Sequence, residues 1–274
     1  MNDLYQQLLN NCTQGSKNNE RLAIYEVNQQ IILSALARSD FFDFAAFYGG
    51  TCLRLFHKLP RFSEDMDFSL LTPSNTFHFE KYFAAILEEF LLYDRKVELH
   101  KKDKKGFSKI ESAFLKDNTL VYDLAFTTTR AVKIKIEIDI APPLAFDTEQ
   151  CLQLLPYSFF ARCYTLPSLY AGKMHALVFR NWKTRVKGRD WFDFEWYVRN
   201  RIPLDFEHLQ ARIRAFNHKE MTQQDFIEQL RLRLTHTPIE QVKADVLPFI
   251  PSDTDLTIWS NNYFLQLIDK IVWK

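Results

Sequence analysis

Asp65 and Asp67, separated only by Met66, restrict this chain more than any other three residues. In an extended strand, side chains at i and i+2 leave the same face. The two carboxylates would then stand side by side, with Met66 and Phe68 turned the other way into a core. Two anions at that spacing repel each other unless a cation lies between them. Oxygen ligands on a strand suit Mg²⁺, which takes one or two carboxylates and fills its shell with water and substrate phosphates. The triplet therefore predicts a strand that carries a metal and phosphate site.

The residues just upstream point the same way. The chain has only 6 glycines, yet Gly49 and Gly50 are adjacent, directly after the apolar run Phe44-Ala45-Ala46-Phe47-Tyr48. Glycine admits positive φ and lets backbone N–H groups approach an anion with no Cβ in the way. Thr51-Cys52-Leu53-Arg54-Leu55-Phe56 reads as a short helix whose N-terminus would face the same anion. The local order is strand, glycine turn, helix, loop, then the Asp-x-Asp strand. A tight turn followed by a solvated acidic strand end is the competing reading. The Asp pair in register behind the turn favours the phosphate site.

A third acid follows in the strand Ala131–Ile140. Ile134, Ile136, Ile138 and Ile140 form one face, and Lys133, Lys135, Glu137 and Asp139 the other. Pro142-Pro143 ends the strand just past Asp139, and strand ends are where α/β folds place ligands. Asp139 is the expected third metal ligand, with Glu137 in reserve.

The string Gly49-Gly50-Thr51-x-Leu53-Arg54, followed by Arg61-x-Ser63-x-Asp65-x-Asp67-Phe68, resembles the AbiEii/AbiGii-type toxins, which include the mycobacterial MenT toxins. These are nucleotidyltransferase-fold proteins of bacterial toxin–antitoxin and phage-defence loci. Two further family features have counterparts here: a lysine that opens a helix, matched by Lys173, and an Arg-Asp-x-x-Asp helix start, matched by Arg189-Asp190-Trp191-Phe192-Asp193. The general nucleotidyltransferase pattern often has Gly-Ser where this chain has Gly-Gly-Thr, and Thr51 could still offer a hydroxyl to a phosphate. The likeness runs from about Tyr48 to Tyr197.

The resemblance implies a two-ion Mg²⁺ site on Asp65, Asp67 and Asp139, with Lys173 and Asp190 completing the catalytic set. Gly49, Gly50, Thr51, Arg54, Arg61, Ser63 and Lys173 would form the NTP site, with Arg61 and Ser63 contacting phosphate or positioning the loop. Backbone amides of Gly50 and Thr51 would bind the β- and γ-phosphates, and Asp190 would orient Lys173 or Arg189. The acceptor implied is RNA, a tRNA 3′ end, whose modification arrests translation, and a cognate antitoxin would be encoded nearby.

Composition sets limits. The 274 residues can hold one large domain or two modest ones, and 47% hydrophobic with 25% charged residues is ordinary for a globular protein. The 25 phenylalanines are expected to build the core. No apolar run reaches the ~20 residues that span a bilayer, and the N-terminal residues lack a signal-peptide layout. Cytoplasmic location with no membrane partner is expected. Cys12, Cys52, Cys151 and Cys163 show no zinc or disulfide spacing, and the histidines no metal spacing.

Net charge is only +1, but residues 173–201 carry eight Lys/Arg (173, 180, 183, 185, 187, 189, 199, 201) against three acids (190, 193, 195). Phe179, Trp182, Trp191 and Trp196 are interleaved, as in a strip that tracks phosphates and stacks bases. Lys183, Arg185, Lys187 and Arg189 are the expected RNA contacts.

The fold expected is α/β: a mixed, nucleotidyltransferase-like sheet with helices, then a mainly helical part. Residues 1–145 would form the catalytic domain with N-terminal helices, and residues 146–274 a helical domain carrying the lysine and Arg-Asp motifs. A helix is expected at about Phe77–Tyr93, and strands near Val97–His100, Lys109–Phe114 and Leu120–Phe126. Strand signals fade after Pro142-Pro143. Rival readings are a small-molecule nucleotidyltransferase of the antibiotic-modifying type and a nucleotide- or RNA-binding module without turnover. A restriction-type nuclease is disfavoured, because Lys135 precedes Glu137 rather than following it.

Overall fold

The computed structural model describes residues 3–12, 20–102, 118–126, 133–180, 186–251 and 254–274. The expected strand at 109–114, and Trp182, Lys183 and Arg185 of the basic strip, lie outside these residues.

The chain forms two compact units. The first comprises Met1–Lys58, Phe62–Pro142 and Thr148–Cys163. Its elements are helices α1 (Asp3–Cys12), α2 (Glu20–Ala37) and α3 (Phe41–Phe44), strand β1 (Ala45–Tyr48), helix α4 (Gly49–His57) and strand β2 (Met66–Leu70). A 3₁₀ turn at Phe79–Tyr82 leads into α5 (Phe83–Leu91), followed by β3 (Val97–Lys101), β4 (Thr119–Phe126), β5 (Lys133–Asp139), β6 (Thr148–Gln153) and β7 (Phe159–Tyr164). Among the described residues the seven strands make one sheet in the order β3-β4-β5-β2-β1-β7-β6. β2 runs antiparallel to β1 and parallel to β5, and β1 runs parallel to β7.

The mixed sheet and most of its elements match the sequence reading, but the strands do not stop at Pro142-Pro143. β6 and β7 follow within about two dozen residues, and β7 pairs with β1 at the centre of the sheet.

Alternation sets the two faces of the sheet. Phe47 and Phe68 pair across β1 and β2, and their rings lie 5.0 Å apart. Phe68 also meets Phe41 edge-on at 5.0 Å, and Phe41 meets Phe79 at 5.7 Å and Tyr82 at 5.0 Å. Tyr122 of β4, opposite Ile136 of β5, closes this cluster against Phe79 at 4.9 Å. Edge-to-face rings at such distances contribute about 0.5–1.5 kcal/mol per pair beyond their buried area. The phenylalanine-rich core therefore covers the face bearing Met66, Phe68, Ile136 and Ile138. The opposite face is left to Asp67, Ser69, Lys135, Glu137 and Asp139.

The second unit comprises Leu59–Arg61, Pro143–Asp147 and Tyr164–Lys274. It contains helices α6 (Leu166–Phe179), α7 (Gly188–Arg199), α8 (Phe206–Asn217), α9 (Gln223–His236), α10 (Ile239–Val246) and α11 (Asn261–Ile268). A short parallel pair joins β8 (Pro203–Leu204) to β9 (Val272–Trp273). Helix α7 lies close against α10: a Cβ on Gly188 would sit 2.0 Å from the Val242 carbonyl oxygen, and the Gly188 amide donates to Asp245 at 2.8 Å.

Candidate active site

In the first unit, the turn from β1 into α4 is built around Asp67. Gly49 has φ +81, a left-handed conformation that L side chains rarely adopt, and a Cβ there would fall 2.1 Å from Asp67 Oδ2. Only a glycine lets the backbone come this close to the carboxylate. Tyr48 precedes α4 with no side-chain hydrogen bond that caps the helix, and the first turn carries no acid, so the helix N-terminus is a favourable place for an anion.

Thr51 is fully buried, and its hydroxyl donates to the backbone carbonyl of Asp65. That bond ties the start of the helix to the approach of β2. Ser63 is held by its backbone: Gln29 of α2 donates one amide hydrogen bond to the Ser63 carbonyl and one to that of Glu64, both at 3.0 Å. These bonds fix the loop that delivers Asp65. Arg54 donates to Glu26 at 2.9 Å and lies 4.4 Å over the Phe62 ring. Both partners orient it within the first unit.

The register decides which acid stands next to Asp67. Asp67 is opposite Glu137, whereas Asp139 is opposite Ser69. Asp139 is buried, 4% exposed, and accepts the Ala141 amide at 3.2 Å. Glu137 is a quarter exposed and pairs with Lys135. Burial works against the charge of Lys135, but Glu137, Asp65 and Asp67 outweigh it and raise its pKa. Lys135 thus sits in the field of three carboxylates, and oxygen donors of that kind suit a hard divalent ion, with Asp139 or Glu137 as the third carboxylate.

The second unit holds a different polar cluster. Arg61 forms a two-pronged pair with Asp193, Nε to Oδ1 at 2.6 Å and Nη2 to Oδ2 at 2.7 Å, with both side chains buried. Lys173 reaches Asp193 at 2.8 Å and Asp190 at 3.5 Å, and Arg180 reaches Asp190 at 3.0 Å. Burial would raise the Asp193 carboxyl, but Arg61 and Lys173 hold it below the ordinary carboxylate range.

Two readings change here, and Arg61 pairs with Asp193 inside the unit. Lys173 lies in the middle of α6 rather than at its start. Asp193, which carried no assigned role, joins Arg61 to Lys173. Its signal was present in the sequence, because it lies three residues after Asp190 on one helix face.

The basic strip is also reshaped. Gly188 begins α7, so the extended alternation ends at Lys187, and the Arg189 guanidinium lies 4.1 Å over the Phe249 ring. Trp191 is buried against Phe264, ring centroids 4.7 Å apart, and cannot stack a base. Lys173 and Arg180, counted in the positive excess, are partnered by Asp190 and Asp193. No helix among the described residues is long and apolar enough to cross a membrane.

Comparison with known proteins follows this geometry. The sequence model of the family described as "Nucleotidyl transferase AbiEii toxin, Type IV TA system" matches residues 31–266. No curated protein matches the chain. Among solved structures, MenT4, a nucleotidyltransferase toxin of Mycobacterium tuberculosis, is similar at a TM-score of 0.62 and 14% identity, covering 97% of this chain and 88% of that one. JHP933 from Helicobacter pylori is similar at a TM-score of 0.56 and 18% identity, covering 92% of this chain and 90% of that one.

Proposed function

The chain belongs to the AbiEii nucleotidyltransferase toxin family of type IV toxin–antitoxin systems, and we propose that it transfers a nucleoside monophosphate from an NTP to a tRNA 3′ end, blocking translation. The oxygen of the acceptor hydroxyl forms a bond to the α-phosphorus. The bond from that phosphorus to the bridging oxygen breaks, pyrophosphate leaves, and the hydroxyl proton passes to solvent. The observation that carries this reading is the approach of the Gly49 backbone to Asp67, in a turn that opens a helix N-terminus beside two carboxylates.

Each group has a separate task. The Gly50 and Thr51 amides bind phosphate oxygens at the head of α4. Asp65 and Asp67, with Asp139 or Glu137, would hold Mg²⁺. When bound, Mg²⁺ neutralises charge on the triphosphate and on the departing pyrophosphate. Lys173, fixed by Asp193 and Asp190, is the proposed point charge for the triphosphate, as the sequence resemblance implies. Lys187 remains a proposed acceptor contact, and family membership implies a cognate antitoxin as partner.

The test is incubation of the purified chain with total tRNA, Mg²⁺ and each labelled NTP in turn, beside Asp67→Ala. Label should enter tRNA with the parent and be lost with the variant or with chelator. Equal labelling by Asp67→Ala would refute the site, and label on small hydroxyl compounds but never on tRNA would refute the acceptor.

A further inference from the structure

Cys52, Cys151, Cys163 and His57 are scattered through the sequence with no metal spacing, yet the fold of the first unit gathers them. Cys52 and His57 lie on α4, Cys151 on β6 and Cys163 on β7. Cys151 and Cys163 lie close enough to influence each other's thiols, as do Cys163 and Cys52. Glu149, two residues before Cys151, leaves the same face of β6. One ligand atom each from His57, Glu149 and Cys151 lie within 4.8 Å of one another.

His57 adds an independent observation. Its Nε2 is buried and has no hydrogen-bond partner. A buried ring nitrogen without a partner forgoes a hydrogen bond and is conspicuous in a folded chain.

We propose that His57, Glu149 and Cys151 form a second metal site, selective for a borderline-soft divalent cation of the Zn²⁺ type. Nitrogen, carboxylate and thiolate are the usual zinc donors, at roughly 2.0–2.3 Å from the ion, so tetrahedral ligand atoms lie about 3.4–3.6 Å apart. The three ligand atoms, all within 4.8 Å of one another, would need only side-chain rotation on the half-exposed β6 strand to reach that spacing. A hard ion such as Mg²⁺ does not take a thiolate, so this site and the aspartate site do not compete for one metal. Three protein donors leave a fourth position to water.

The location gives the site its consequence. His57 is the last residue of α4, whose first residues form the phosphate turn, and β6 is the terminal strand of the sheet. Zinc here would join the C-terminal end of that helix to the sheet edge.

Cobalt titration of the reduced, metal-free full-length protein tests the proposal. One equivalent of Co²⁺ should produce a near-ultraviolet thiolate-to-cobalt absorption, and Zn²⁺ should displace it. The band should vanish in Cys151→Ser and weaken in His57→Ala, yet persist in Cys12→Ser and in Asp67→Ala. Persistence in Asp67→Ala separates this site from the proposed Mg²⁺ site. Absence of the band in the parent, or its survival in Cys151→Ser, would overturn the proposal.

Discussion

Replacing Gly49 with alanine puts one methyl group where the structure has room for none. The new Cβ would lie 2.1 Å from Asp67 Oδ2, against 3.4 Å for ordinary contact, a shortfall of 3.4 − 2.1 = 1.3 Å. The backbone there also sits at φ +81, where a Cβ costs about 1–2 kcal/mol. Asp67 or the turn must therefore move by about an ångström, and displacement on that scale at a reacting centre lowers rate by roughly 100-fold. We expect kcat/KM to fall at least that far, about 2.7 kcal/mol of transition-state stabilisation, with stability falling by about 1–2 kcal/mol from the backbone alone.

Gly172→Ala is the internal control. It lies inside α6 with nothing within 4 Å of a built Cβ. That substitution should stabilise the chain by about 0.5–1 kcal/mol through helix propensity. Labelled-nucleotide transfer and urea unfolding on both variants give the comparison. If Gly49→Ala keeps the parental kcat/KM, the contact between the glycine turn and Asp67 does not shape the site, and the reasoning fails.

The buried Arg61–Asp193 pair supports two more expectations. Arg61→Met alone should destabilise by about 3–5 kcal/mol by leaving a buried carboxylate short of its partner, whereas Arg61→Met with Asp193→Leu should recover much of that loss; additive losses in urea unfolding would count against the pairing. The Asp193 carboxyl is held below the ordinary carboxylate value of 3.8, so its contribution is fully present above about pH 4 and is lost as pH falls through the lower, folded value; acid titration of Asp193→Asn should lack that part of the stability loss.

What the sequence disclosed was local. Asp65 and Asp67 could be placed because strand alternation acts over two residues, and the glycine turn because it abuts an apolar run. The Ile134–Ile140 alternation likewise announced β5, though the relative positions of Glu137 and Asp139 depended on the register with β2, which no single strand encodes. β6 escaped notice because it is an edge strand: Thr148–Gln153 has no buried residue and so no apolar face to betray it. Lys173 was misplaced within its helix although Pro167, near the first turn, marks the true start. The cluster of His57, Glu149 and Cys151 was invisible because its members come from separate elements.

The Arg61–Asp193 pair also sets a timetable for synthesis. Its two halves are 132 residues apart, so at about 5–20 residues per second the ribosome makes the guanidinium roughly 7–26 s before the carboxylate exists. All strands from β2 to β7 are translated in that interval. The second unit therefore cannot be completed by the C-terminal stretch alone: a fragment starting at Tyr164 would enclose Asp193 without the arginine that neutralises it. Until the segment Leu59–Arg61 meets a helix translated much later, the nascent toxin lacks the anchor that positions Lys173.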